Sequence, residues 1–504
     1  SLSFRTDEGD TVQFQAPAFG TLSLMDQIVR APFRGVDTSY AERFDIEKGT
    51  VESDYLFTYV PSWGMMNVLP GPQQAYYLHW TIELDPQHVG LVKDLDTGQY
   101  GSVFIVSTEI VPRDEPEKLL VQQRKESFMN LNESQAEKAI HLPFAYSGMT
   151  PLAPGSYDAR IILRNRACPG RDESGCRKAY TVLQSAIDVP ERESGRTGMS
   201  EVVLAYAMER PAGAPVYRPY RFGTLQLLPN PRRVYAIGDK VVAAAEALDP
   251  PAGAQARFRI ASKDAPHRVL LEKTVPVEGF RLEPLVQELS LEGFTGGRYR
   301  LTVDLLDAQG SVLDGQTADF DVTPRTSVAR PGFRGALSQT RPEIPGLVEL
   351  ALGEQYLSLD QKAKAREYFE GAVARNPKLG PAREHLASLL LEERQPSRVV
   401  ELLEPVYAEV KDRFEILALL GEAYFQQKDY SRSSELLEKA VVLRRPQARL
   451  LNFLAISHYQ LGNVSRAREV LERSLAIEPD QPPVKELLEK LQAEGVVSGE
   501  HRSP

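Results

Sequence analysis

The sequence predicts a multidomain chain in which two antiparallel β-sandwiches precede an all-α solenoid. Three observations carry that reading. At 504 residues the chain exceeds what one hydrophobic core can serve. Short β-type runs punctuated by Gly and Pro recur from about Asp54 to Val322, the signature of antiparallel sandwiches. A 34-residue period then runs through the last third, as stacked helical hairpins require. The composition agrees, with 42% apolar and 25% charged residues, as in an ordinary globular protein.

Residues 1–45 hold one strand-like piece, Thr11 to Gln15, and are otherwise unassigned. An isolated strand leaves backbone groups unpaired, so Val12 and Phe14 are expected on one face of a strand that completes a sheet. The first sandwich is placed at 46–189, with strands such as Tyr76 to Leu84, Ser102 to Val111, Tyr157 to Asn165 and Tyr180 to Asp188. Pro190 to Arg196 reads as a linker, and a second sandwich follows at 197–323. The stretches 154–165 (PGSYDARIILRN) and 296–307 (GGRYRLTVDLLD) match in pattern: a Gly turn, a Tyr, then a strand ending in Asn or Asp. That pattern suits the last hairpin of an immunoglobulin-like sandwich and suggests that the two regions are related. Residues 324–345, rich in Pro and Arg, read as the linker to the helical part.

Windows starting at 346, 380, 414 and 448 fall in register. The first carries Leu352, Gly353, Tyr356, Ala365, Phe369, Ala372 and Pro377; the third repeats this as Leu420, Gly421, Tyr424, Leu437 and Ala440. The fourth has Leu454, Ala455, Gly462, Ala467, Leu471 and Pro479. The second is degenerate, with Val399 where a small residue belongs. Small residues let the paired helices approach, large apolar ones fill the seam, and Pro ends the second helix. Val484 to Leu491, apolar at 484, 487, 488 and 491, looks like a capping helix that closes an array spanning 346–495. These positions resemble the tetratricopeptide repeat family. More faintly, Ser200 to Ala207, Leu228 to Pro231 and the Gly297 hairpin resemble exported bacterial proteins with GWxTD or von Willebrand A-related domains, although the GWxTD motif itself and a D-x-S-x-S are missing.

Chemistry is hard to find. The seven histidines are scattered, without H-E-x-x-H or a Cys–His grouping, and no G-x-S-x-G, Walker loop or dinucleotide fingerprint occurs. We therefore expect no enzyme, no metal and no cofactor. The net charge of −10 and the lack of a Lys/Arg cluster argue against nucleic acid. No apolar run approaches the roughly 18 residues of a membrane span. Asp94, Asp96 and Gly98 read as a plain turn rather than a calcium loop, and Asn132 and Asn463 match a glycosylation pattern that often occurs by chance. Cys168 and Cys176, the only cysteines, lie close together in one hairpin loop and are expected to form a disulfide, with free thiols as the alternative. A disulfide favours an oxidising compartment, so an extracytoplasmic location is expected.

Alternation along Tyr76 to Leu84 places Trp80 in the core, with His79 and Glu83 on the other face. Trp63 lies in a turn-like stretch, PSWGMMN, and is open to three readings: folded onto its own domain, contacting a neighbouring domain or partner, or stacking on a sugar. In the tetratricopeptide family the groove is lined by set positions of each first helix. By register these give the stripe Leu357, Leu391, Phe425 and Tyr459, flanked by Glu354, Glu384 and Glu422. The resemblance implies a groove for a protein segment both apolar and basic. The expected function is a non-catalytic scaffold or structural subunit of an extracytoplasmic bacterial assembly, including self-assembly or a larger complex. A carbohydrate-binding surface protein, or the accessory part of an enzyme, is the alternative.

Overall fold

The computed structural model describes residues 2–5, 11–14, 44–45, 50–51, 58–85, 87, 89–93, 98–139, 141–168, 177–192, 195–211, 218–338, 342–407, 413–444 and 447–499, with side chains from Val60 onward save at 177, 336–338 and 493–499. The chain forms two compact units, residues 1–343 and 344–504.

The first unit is strand-rich. Its sheets are built from strands whose alternate residues face opposite sides, so each sheet can serve two cores at once. The outer sheet of the first sandwich runs in the order Val121–Leu131, Tyr100–Pro112, Gly155–Ala167, Arg177–Val189, Thr58–Tyr59. It faces an inner sheet ordered Phe333–Ser338, Phe144–Leu152, Tyr76–Leu84, Ser62–Pro70. Trp80, Ile82, Phe104, Val106, Ile161 and Leu163 fill the space between them. The second sandwich pairs a sheet centred on Lys240–Leu248 with one centred on Gly297–Leu306, around Ala243, Ala245, Phe258, Leu301 and Phe320.

The two sandwiches share a third core. Met65 and Leu69 of the first pack against Val203, Ala205, Tyr220, Phe222, Val242 and Ala244 of the second. The four sheets therefore stack, and both central sheets are buried on both faces: Tyr77, His79, Thr81 and Glu83 are as enclosed as Trp80 and Ile82. The paired Tyr hairpins behave alike. Tyr157 donates its hydroxyl to the Ala153 carbonyl at 2.9 Å, and Tyr299 to the Thr295 carbonyl at 2.7 Å, each four residues upstream.

Two expectations need correction here. The stretch 324–345 is no plain linker, because Phe333–Ser338 adds to Phe144–Leu152 as a parallel edge strand, with Phe333 stacked on Phe144 at 5.2 Å. Two of its arginines are paired, Arg330 to Asp239 at 3.1 Å and Arg334 to Glu209 at 3.0 Å. The strand Thr11–Phe14 does pair in a sheet, with Leu2–Arg5, in a four-stranded sheet that also holds Thr50–Val51 and Phe44–Asp45. Ser62–Pro70 is a strand, not a turn. Gly64 lies there at close approach, where a Cβ would meet the tip of the Leu183 side chain at 2.6 Å. Residues 94–97 and Cys176 lie outside the described residues, so the acidic turn and the disulfide pairing do too.

The second unit is helical. Four helix pairs run Leu347–Ser358 with Lys362–Arg375, Gly380–Glu392 with Pro396–Tyr407, Phe414–Gln426 with Tyr430–Leu443, and Ala448–Gln460 with Val464–Ile477, followed by Pro482–Gly499. Gly353 and Gly421 let the helices of a pair touch, because a Cβ would meet Phe369 or Leu437 at 2.5 Å. Val399 of the degenerate repeat is fully buried, so the larger side chain is absorbed rather than excluded. Each hairpin turns through one left-handed residue at the same repeat position: Asp360, Arg394, Lys428 and Gly462, with φ between 57° and 78°.

Candidate partner-binding surface

The signature positions form the array's core; the stripe next to them differs residue by residue. Leu357, Phe425 and Tyr459 are half-buried, but Leu391 is only 4% exposed and belongs to the packing between helices. Phe425 lies 4.7 Å from Phe453, a residue the family register did not single out, and 5.9 Å from Tyr430. Arg449 sits over Phe453 at 5.4 Å, and Lys490, from the capping helix, sits over Tyr459 at 5.8 Å.

The three acids expected beside the stripe are engaged within the array. Glu354 lies 3.4 Å from His385, Glu384 is 2.6 Å from Arg413, and the nearly buried Glu422 pairs with Arg449. Burial pushes the Glu384 carboxyl above its ordinary pKa and the Arg413 charge pulls it back. A groove for a basic segment was expected from those acids; Glu384 and Glu422 are paired with arginines of the array, while Glu354 lies beside His385. On the second helices the cross-repeat pairs recur in register, Glu370 with Arg398 at 2.8 Å and Glu438 with Arg466 at 2.9 Å.

Trp63 is in the first unit, on the edge strand of the inner sheet, and is 37% exposed. The Arg232 guanidinium of the second sandwich stacks 3.9 Å from its ring. The same arginine reaches Glu83, fully buried, at 2.5 Å, while Tyr206 donates its hydroxyl to the other Glu83 oxygen at 3.1 Å. Burial raises the Glu83 pKa to about 7 against the opposing pull of Arg232. Beside it His79, its pKa lowered to about 3 by burial, stays neutral and accepts the Tyr220 backbone N–H at 2.9 Å. Asn67 donates to Glu201 at 2.8 Å. Of the three readings of Trp63, the structure displays a neighbouring-domain contact. This polar seam was missed in sequence apart from the alternation that turned His79 and Glu83 away from Trp80.

Among the described residues, no group of three or more His, Cys, Asp or Glu is arranged to hold a metal, and no helix is long and apolar enough to cross a membrane. Asn132 caps a short helix, its side chain accepting the Gln135 N–H at 2.9 Å while Gln135 bonds back at 3.0 Å.

Family models described as tetratricopeptide repeat match residues 350–379 and 414–445, and residues 447–477. The C-terminal region is thus a tetratricopeptide array; the degenerate second repeat falls between the matched segments. No curated protein matches the chain. Solved structures similar to it include MamA from Desulfovibrio magneticus RS-1, at 20% identity over 28% of this chain and 80% of that one, TM-score 0.25. TTC0263, a thermophilic TPR protein of Thermus thermophilus, is similar at 22% identity over 30% and 82%, TM-score 0.25. YrrB, a TPR protein with an unusual peptide-binding site, is similar at 15% over 29% and 75%, TM-score 0.26. At these identities the likeness concerns the fold of the helical region alone.

Proposed function

We propose that the protein is a non-catalytic scaffold whose tetratricopeptide array holds a segment of another polypeptide. The observations that carry this are the half-buried aromatic pair Phe425 and Phe453, with Arg449 over Phe453, and the half-buried Tyr459 beneath Lys490. Aromatic side chains that keep part of their surface open are the usual anchors of protein interfaces. Arg449 is engaged with Glu422, so what these anchors offer is open aromatic surface, which suits an apolar segment. The sugar-stacking reading of Trp63 loses support, because Arg232 occupies a face of the ring.

The sandwiches serve as the spacer in this reading. The matched Tyr–carbonyl hydrogen bonds of the two hairpins support an immunoglobulin-like relation between them. Placement in an extracytoplasmic bacterial assembly rests on the two close cysteines and on the resemblance to exported proteins. The test of the scaffold is capture from the native source with the parent protein and with a Phe425→Ala/Tyr459→Ala variant that keeps its circular dichroism. Each substitution should weaken binding by about 1–3 kcal/mol. A folded double variant that retains every partner would show that this surface is not the site.

A further inference from the structure

A half-open cavity of about 440 Å³ lies where the chain passes from the first sandwich to the second, a size and place usual for small-molecule sites. Val68, Val189 and Met199 give it apolar walls. Tyr76 and Gln316 also line it, and neither side chain has a hydrogen bond among the described residues. The two acids on its wall are engaged: Asp188 accepts from the Ser156 hydroxyl at 2.6 Å, and Glu201 from the Asn67 amide at 2.8 Å. Glu246 is not. Val242 and Ala244 of Lys240–Leu248 pack into the seam between the sandwiches, so Glu246, next in that alternation, points the same way. It lies beside Ser200, a residue of the cavity wall: the Ser200 N–H donates to the Glu246 carbonyl at 2.8 Å, and the Glu246 N–H to the Ser200 hydroxyl at 2.8 Å. Glu246 is only 6% exposed, yet its carboxyl has neither a hydrogen bond nor an ion pair among the described residues.

A basic group stands open nearby as well. Burial raises the Glu246 pKa to about 8 against the pull of Arg192; burial raises that of Tyr76 too, and Arg192 and Arg196 oppose it. Arg192 follows the cavity wall at Pro190 by two residues and has no hydrogen bond or ion pair among the described residues. One acid and one base therefore stay open beside this cavity, and no ion pair joins them. We propose that the cavity binds a free α-amino acid with an apolar side chain, its ammonium on Glu246, its carboxylate on Arg192 and its side chain among Val68, Val189 and Met199. A zwitterion answers both charges at once, whereas an amine or a carboxylate alone leaves one of them unmet. Tyr76 and Gln316 supply the remaining polar contacts. The site goes beyond the scaffold reading and does not depend on it.

The test titrates the full chain with leucine by isothermal calorimetry, and one leucine should bind per chain. Leucinamide, which lacks the carboxylate, and isocaproate, which lacks the ammonium, should each bind about tenfold more weakly or worse. Glu246→Gln and Arg192→Gln should each lower leucine affinity by about tenfold or more while keeping the circular dichroism of the parent. Arg192 is only half-buried, so its variant decides the matter should Glu246→Gln fail to fold. No binding of leucine up to about 10 mM would overturn the proposal. So would leucinamide or isocaproate binding as tightly as leucine, or a folded Arg192→Gln variant that binds leucine like the parent.

Discussion

Replacing Glu83 by Gln tests the seam between the sandwiches most directly. Glu83 is fully buried and its pKa stands at about 7 rather than 4.5. A raised carboxyl pKa means that the folded protein holds its proton more tightly than the unfolded chain. The stability it contributes is therefore complete below the unfolded pKa of 4.5 and is lost as pH rises through about 7. At about 1.4 kcal/mol per pH unit, the loss comes to about 3 kcal/mol. Gln keeps one oxygen to accept from Arg232, turns its NH2 to donate to the Tyr206 hydroxyl, and has no ionisable proton. The difference in unfolding free energy, variant minus parent, should therefore climb by about 3 kcal/mol between pH 4.5 and 7 and level off above about pH 8. Glu246, buried and raised to about 8, titrates in both proteins and cancels from the difference. Trp63 and Trp80 are the only tryptophans and both lie in the inner sheet, so urea titrations followed by their fluorescence report on this unit. A difference that stays flat from pH 5 to 8 would show that Glu83 ionises at its ordinary pKa and that burial does not govern it.

Tyr157→Phe and Tyr299→Phe should each destabilise the strand-rich unit by about 1–2 kcal/mol in urea unfolding, because each removes a hydroxyl that donates to a backbone carbonyl. Gly462 sits at φ 78° with nothing within 4 Å of a prospective Cβ, so Gly462→Ala should cost the solenoid about 1–2 kcal/mol through backbone strain alone. At the equivalent turn, Lys428→Gly should gain about 0.5–1 kcal/mol, read as a rise in the helical melting temperature. Leu391→Ala should cost about 2–4 kcal/mol of solenoid stability, unlike Phe425→Ala, whose loss should appear mainly in partner binding.

The solenoid was legible because its information is local and repeated. Gly353 against Phe369 and Gly421 against Leu437 occupy fixed places in a 34-residue frame, and even the degenerate repeat is held in register by its neighbours. What the frame could not show is which stripe residue stays open. Leu391 and Phe425 share a repeat position, but one is buried and the other half-buried. The pairing of Glu422 with Arg449 was likewise hidden, since it joins residues 27 apart.

The sandwiches were legible as strands and turns, less so as packing. Ser62–Pro70 escaped because Pro61 and Gly64 mimic turn signals, although Met65 and Met66 alternate correctly into two different cores. The seam escaped because a sheet buried on both faces loses the polar alternation by which a half-buried strand is recognised. Phe333–Ser338 escaped because its pairing partner is remote in sequence and nothing local encodes a parallel edge.

That returning strand has a bearing on how the protein is made. Phe144–Leu152 can take Tyr76–Leu84 as a neighbour as soon as both have left the ribosome, but its other neighbour, Phe333–Ser338, has yet to be translated. At about 5–20 residues per second, the roughly 180 residues between them take on the order of 10–40 s. Throughout that interval the nascent first sandwich carries an open strand edge, the feature by which incomplete sheets recruit one another. The second sandwich emerges in the meantime and covers one face of the same sheet, leaving the edge as the last part to close.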